Sequence, residues 1–266
     1  MTKKILIIGD MHIGSNVALM PEEVETLKTE KENCQLIRAS PVQQKILKKW
    51  YEMIDTEGKV DALVVNGDIV DGYNRKGNGI GCWTTDMDTQ MKTARSLIKE
   101  IHYKKLYGTQ GSLYHTNDNI SVDKLTIESL NGSFSHDLAL KADNIRMHFS
   151  HKVGVSGSTW QYRTTPIAKE MVMNELNQMD FEKFHIIARN HAHYYCAVQF
   201  GKSLGLICPC WKGRDEFVKL IGLAFNPSIG YVVLEINGDH YEWRHNLMHL
   251  KGEDAIHTYN VSMEDL

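Results

Sequence analysis

The sequence predicts an α/β (α+β) protein built as a two-sheet β-sandwich flanked by helices, and three observations lead there. Two continuous apolar runs, Ile5-Leu6-Ile7-Ile8 and Ala62-Leu63-Val64-Val65, end in turn residues and read as buried parallel strands. Segments of helical spacing separate the strands of the first half, giving a β-α-β-α-β pattern. From about residue 137 the chain becomes strand-rich without an intervening Pro/Ser-rich linker, so residues 1–266 are expected to form a single domain.

Taken in order, the first strand runs into Gly9-Asp10. Residues 41–55 follow with Ile46, Leu47, Trp50 and Ile54 on one helical face after Pro41. The insertion at residues 15–45 reads either as a lid or as a surface excursion. After the second strand, residues 86–101 place Met87, Met91, Ala94, Leu97, Ile98 and Ile101 on one face and lead into the strand-like run Lys104–Tyr107. A short helix is expected near residues 121–130. Segments 137–150, 184–188, 194–200, 204–208 and 230–244 alternate or run apolar, with hairpin turns at Gly201-Lys202 and Asn237-Gly238. One more helix is expected at residues 165–179, beginning around Pro166.

The formal net charge of −3 and the absence of a Lys/Arg block remove the electrostatic signature of a protein that coats long nucleic acid or an anionic membrane. The N-terminal MTKKILIIGD holds too short an apolar run for a signal peptide or a membrane span, so a cytoplasmic protein with no membrane partner is expected. The five cysteines include no C-x-x-C, and Cys208 and Cys210 read as reduced thiols rather than a zinc pair. The twelve methionines read as core filler.

Chemistry collects in four short pieces, each just after a predicted strand, where open α/β sheets place their ligands. They are Asp10-Met11-His12, Gly67-Asp68-Ile69-Val70-Asp71, Ser150-His151 and Asn190-His191-Ala192-His193. In Asp10-x-His12 and His191-x-His193, a period of two points both side chains the same way if strand geometry persists. Converging carboxylates and imidazoles stabilise a fold poorly but bind divalent metal well. Mixed nitrogen and oxygen donors suit Mn, Fe, Zn, Co or Ni better than Ca or Mg. The donors outnumber what one tetrahedral ion uses, so two divalent ions are expected, bridged by Asp68.

In this order the pieces resemble the calcineurin-like metallophosphoesterases, whose signature runs D-x-H, G-D-x-x-D/G, G-N-H-D/E, a strand-end His and G-H-x-H. The resemblance covers residues 3 to about 200 and implies a metallophosphoesterase-like αββα architecture. It implies that Asp10, His12, Asp68 and His193 hold one ion and that Asp68, His151 and His191 hold the other, with Asp71 orienting a ligand. Mn, Fe, Zn or Ni would fill the sites, Mn being the first choice in vitro. It further implies hydrolysis of a phosphoester by a metal-bridging hydroxide held by Asp68; the other expected catalytic residue, His115, has no counterpart in the family motif and is read from its own loop. The favoured substrate is nucleic acid or a nucleotide, cleaved by a phosphodiesterase or nuclease. The alternative is a catalytically weak or inactive scaffold of the same fold that binds a protein partner.

Two motifs depart from the family. Asn190 stands where the last motif has Gly, and Gly108 is followed by Thr109-Gln110-Gly111 where the family has Asn-His. Thr109 and Gln110 are then expected to face substrate. His115 is the only imidazole of the stretch GTQGSLYHT, and it is expected to return over the metals as a general acid or as a replacement ligand. In the loop KVGVSGSTWQYRTTP, Arg163 is a candidate for holding a phosphate oxygen and Trp160 for stacking on a base, although packing of the aromatics onto the sheet explains them equally. Trp211-Lys212-Gly213-Arg214 reads either as a cleft border or as a solvated hairpin end.

Overall fold

Both apolar runs become neighbouring parallel strands, β1 (Lys3–Ile8) and β4 (Val60–Val65), paired from Ile5↔Ala62 to Ile8↔Val65. The structure is a computed structural model that describes residues 1–27, 34–74, 79–115, 121–154, 162–176, 183–215 and 226–250. β5 (Tyr103–Thr109) and the short β6 (Ser133–Ser135) continue the parallel sheet beyond β4. On the other side of β1, the hairpin of β12 (Ile229–Asn237) and β13 (His240–Met248) closes it antiparallel. The second sheet has the order β10 (Cys196–Phe200), β11 (Ser203–Ile207), β9 (Ile186–Arg189), β8 (Ile145–Phe149), β7 (Leu138–Ala142).

The layers follow from strand alternation. Ile5, Ile7 and Val64 face the second sheet and pack against Met147, Phe149, Ile186 and Leu204. Leu6, Ile8, Leu63 and Val65 point the opposite way, into a core shared with three helices. Those helices are α1 (Pro41–Glu57), α2 (Met87–Lys99) and α3 (Val122–Glu128), each opened by a side chain that takes an otherwise orphaned N–H: Ser40, Asp86 and Ser121. α4 (Thr165–Leu176) covers the second sheet through Ile167 and Met171. The four layers are therefore αββα, as expected; residues 177–179 of the expected last helix lie outside the described residues.

Some boundaries differ from expectation. Segment 137–150 is not one strand but the hairpin of β7 and β8, because Asp143 takes a left-handed φ of 51° and reverses the chain. The insertion opens as a buried wall, with Leu19 and Met20 fully covered, and Leu19 N–H donates to the Trp211 carbonyl at 3.0 Å. It continues as a small hairpin of β2 (Glu23–Glu25) and β3 (Leu36–Arg38). Among the described residues, no helix is long and apolar enough to cross a membrane.

Candidate metal centre

The C-terminal ends of β1, β4, β5, β8 and β9 meet at one edge of the sandwich, and the loops leaving β1 and β4 remain zipped together. Asp10 N–H donates to Gly67 O and His12 N–H to Asp68 O, both at 3.0 Å. The shared direction of Asp10 and His12 does not come from strand pleat, as the spacing predicts, since β1 ends at Ile8. Both residues are left-handed, with φ of 48° and 46°, and so are Asp68, His191 and His193 at 50°, 71° and 57°. Non-glycine residues in that region cost about 1 kcal/mol or more each, and such strain concentrates at functional sites.

Each carboxylate turns one oxygen to a backbone N–H and the other towards the imidazoles. Asp10 Oδ2 accepts from the Asn190 side chain at 3.1 Å and from His191 N–H at 3.0 Å. Its Oδ1 has no hydrogen-bond partner and lies 3.3 Å from His193 Nε2 and 3.7 Å from both His12 Nε2 and His151 Nε2. Asp68 Oδ1 accepts Ser112 N–H at 2.6 Å, leaving Oδ2 3.0 Å from His151 Nε2 and 4.0 Å from His12 Nε2. Ser112 Oγ also lies 3.0 Å from that Oδ2.

The imidazoles are held from behind. His151 Nδ1 meets the Asn66 carbonyl at 2.7 Å, so it carries a proton, and in the neutral ring that a metal ligand requires Nε2 is the nitrogen with the lone pair. His12 Nδ1 meets Asp71 Oδ1 at 3.0 Å, and the same Oδ1 accepts from Lys212 Nζ at 2.8 Å. Asp71 therefore orients His12, as the family resemblance implies. Donor atoms fall into three overlapping groups, Asp10–His12–His193, His12–Asp68–His115 and Asp68–His151–His191, within each of which they lie no more than 4.8 Å apart.

Burial alone would raise the pKa of Asp10, yet His193 and His151 hold its carboxyl well below the usual carboxylate range. Asp68 is buried too and is held low chiefly by His151 and His115. Conversely, burial would lower His151, but Asp68 and Asp10 outweigh it and push this imidazole up to about 10. The residues fit a divalent cation: Asp10 Oδ1 is buried, aimed inward and without a hydrogen-bond partner, and three imidazole Nε2 atoms face it, an arrangement that is costly unless a cation joins them.

Other expected site residues fall differently. Thr109 is fully buried and its hydroxyl donates to Asn66 Oδ1 at 2.7 Å, so it braces the floor and faces no substrate. Asn66 in turn donates to Asn190 Oδ1 at 2.8 Å. Asn190, where the family has Gly, thus links Asp10 to the end of β4, and its side chain fills the space where Gly9 would carry a Cβ. Gln110 is half-buried with its side-chain amide donating to Gly111 O at 3.3 Å, and the Arg163 guanidinium lies 5.1 Å over the Tyr194 ring. Trp160 lies outside the described residues. Lys212 is neither a cleft edge nor a solvated end; it is buried between Asp71 and Asp215 Oδ2 at 2.8 and 2.7 Å. A lone charge directly after the apolar run ending at Trp211 was the available signal for that pair; Ser112 had none. Cys208 and Cys210 are buried free thiols, with Cys210 Sγ donating to Lys212 O at 3.2 Å.

Carboxylates and imidazoles gathered at the strand ends of an αββα sandwich define a metal-binding protein of that architecture. The chain belongs to the calcineurin-like phosphoesterase family, whose sequence model matches residues 3–204. Among solved structures, it is similar to Entamoeba histolytica Vps29 complexed with zinc, at 13% identity, covering 92% of this chain and 98% of that one with a TM-score of 0.49. It is also similar to a novel archaeal phosphodiesterase, at 11% identity, covering 92% and 99% with a TM-score of 0.47. Vps29 of Cryptosporidium parvum is similar at 12% identity, covering 94% and 99% with a TM-score of 0.47. No curated protein sequence matches the chain.

Proposed function

We propose that the protein hydrolyses phosphoesters at a centre of two divalent ions, Mn being the first to test, and that its substrates are phosphodiesters of nucleic acid or nucleotides. The observation that supports this most directly is the division of labour in the two aspartates. Asp10 Oδ2 and Asp68 Oδ1 are taken up by the protein, while Asp10 Oδ1 and Asp68 Oδ2 face imidazole Nε2 atoms. Asp10, His12 and His193 would hold one ion, and His151 and His191 the other, with Asp68 between them. Such ions supply Lewis acidity at phosphoryl oxygens and bring the pKa of water towards neutrality.

The chain's own residues then do the positioning. Ser112 keeps Asp68 Oδ2 turned inward, and Asp71 with Lys212 keeps His12 Nε2 directed at the centre. By their chemistry the half-buried Gln110 and Arg163 are suited to a phosphate oxygen, and Trp160 to a base. The His193 side chain is 18% exposed, so the centre opens to solvent on that side.

The test is hydrolysis of bis-p-nitrophenyl phosphate and p-nitrophenyl phosphate by metal-stripped protein restored with Mn, Ni, Zn or Mg, with bound metal counted on the same samples. Two ions per chain and metal-dependent diester cleavage are expected. Tight metal binding with no turnover of either ester would favour a binding scaffold instead.

A further inference from the structure

We propose that His115 is a metal ligand, sharing one divalent ion with His12 and Asp68; this deepens the metal-centre reading above and rests on it. The loop that carries His115 is built to bring it there. After β5, Gly111 passes so close to Asp68 that a Cβ would collide with Asp68 Oδ1, Asp68 N and Asp123 Oδ2. Asp123 anchors the pass by accepting Gly111 N–H at 2.7 Å and Ile69 N–H at 3.0 Å. Ser112 then binds Asp68, and a single 3-10 turn, Leu113–His115, closes with His115 N–H on Ser112 O at 3.1 Å. On the other side, Gly72 is left-handed at φ 70° and leaves room for the His115 backbone, whose carbonyl oxygen would lie 3.0 Å from a Cβ there.

The ring is oriented as firmly as the chain. His115 Nδ1 lies 2.7 Å from the Asp71 carbonyl oxygen, which only accepts, so Nδ1 carries the proton. Nε2 is left with a lone pair, 3.8 Å from Asp68 Oδ2, and the ring stands edge-on to His12 with centroids 4.6 Å apart. His12 and His151 use the same device, Nδ1 on a protein oxygen and Nε2 inward. That is the pattern of histidine ligands fixed by an outer hydrogen bond. In the neutral ring, Nε2 is therefore the nitrogen free to give its lone pair to a cation beside Asp68. The grouping also assigns a side: the donor atom of His115 clusters with those of His12 and Asp68, whereas His151 and His191 form the other cluster with Asp68. His115 therefore sets the affinity for one ion and not for its neighbour.

The test titrates metal-stripped full-length protein with Zn and with Mn by calorimetry, and counts ions retained after dialysis, for wild type, His115→Ala and His115→Asn. Asn can still donate to the Asp71 carbonyl but places no ring nitrogen beside Asp68, so it separates ligation from a merely structural role. In both variants one binding event should weaken by about 10- to 100-fold or more while the second is retained. The visible spectrum of the Co-loaded protein should change in band position or intensity. Two ions in wild type with unchanged affinities and Co spectrum in His115→Asn would overturn the ligand assignment alone. Wild-type protein that binds no divalent ion would overturn the metal-centre reading, and this assignment with it.

Discussion

Replacing Lys212 by Met should destabilise the metal-free protein by about 3–5 kcal/mol, the cost of leaving a buried charge without its partner. The Lys212 side chain is 7% exposed and its ammonium is shared by Asp71 Oδ1 at 2.8 Å and Asp215 Oδ2 at 2.7 Å. Burial would raise the pKa of Asp71, and Lys212 is the foremost group that keeps it low. Without Lys212, Asp71 would retain His12 Nδ1 at 3.0 Å, the His115 ring beside its carbonyl and the weak Cys82 thiol donor at 3.4 Å. For a chain of this size the loss corresponds to a fall in Tm on the order of 10 °C. Urea unfolding followed by tryptophan fluorescence measures it well, because Trp211 adjoins Lys212 and packs edge-on against Trp50 with ring centroids 4.9 Å apart. Lys212→Met/Asp71→Asn removes the ammonium and the more buried of its two carboxylates and should recover part of the loss, while weakening the hold on His12. A Lys212→Met protein within about 1 kcal/mol of wild type would refute the reasoning, since no buried pair broken on one side should be so mild.

Three further outcomes are expected. Gly111→Ala should strip the centre of metal, because the added Cβ meets Asp68 and Asp123; full metal content after dialysis would contradict it. Metal uptake at pH 7 should release protons, because His151 is pushed up to about 10 by Asp68 and Asp10 against its burial, and a ligating imidazole must be neutral. Affinity should therefore rise with pH, while the raised His151 stabilises the metal-free fold fully below its ordinary 6.5 and loses that contribution as pH climbs through about 10. Calorimetry in buffers of different ionisation enthalpy reads the protons directly, and buffer-independent heats would count against it. Glu57 is buried, which would raise its pKa, but Arg244, Lys4 and Tyr231 bring it down to about 2. Its contribution is thus present above its ordinary 4.5 and lost as pH falls through about 2. Allowing for the half-exposed Arg244, Glu57→Gln should cost about 2–3 kcal/mol at pH 7 and flatten the acid limb of the stability curve.

Much of this architecture is legible in local pattern. Ile5–Ile8 and Ala62–Val65 read as strands because a strand buried on both faces is apolar at every position, and α1 is marked by Ser40, Pro41 and its apolar face. The hairpin turns at Gly201 and Asn237-Gly238 are equally local, for glycine reaches left-handed φ without strain. Asp143 shows the limit: a left-handed aspartate splits one apparent strand into two, and nothing in its neighbours' periodicity requires it.

By itself, the sequence determined the αββα class, the order of its main strands and helices, and a donor set of Asp10, His12, Asp68, His151, His191 and His193. Each of those rests on residue type and short spacing, which the chain carries before it folds. Only the tertiary structure decided which carboxylate oxygen faces inward, that Thr109 braces Asn66 instead of meeting a ligand, that Lys212 is buried against Asp71, and that His115 lies on the His12 side of Asp68. Those outcomes depend on distances between groups far apart in the chain, 141 residues for Lys212 and Asp71 and 44 for His115 and Asp71. They depend equally on burial, since a charge or an imidazole lone pair must find its partner only after packing has excluded the water that would otherwise serve.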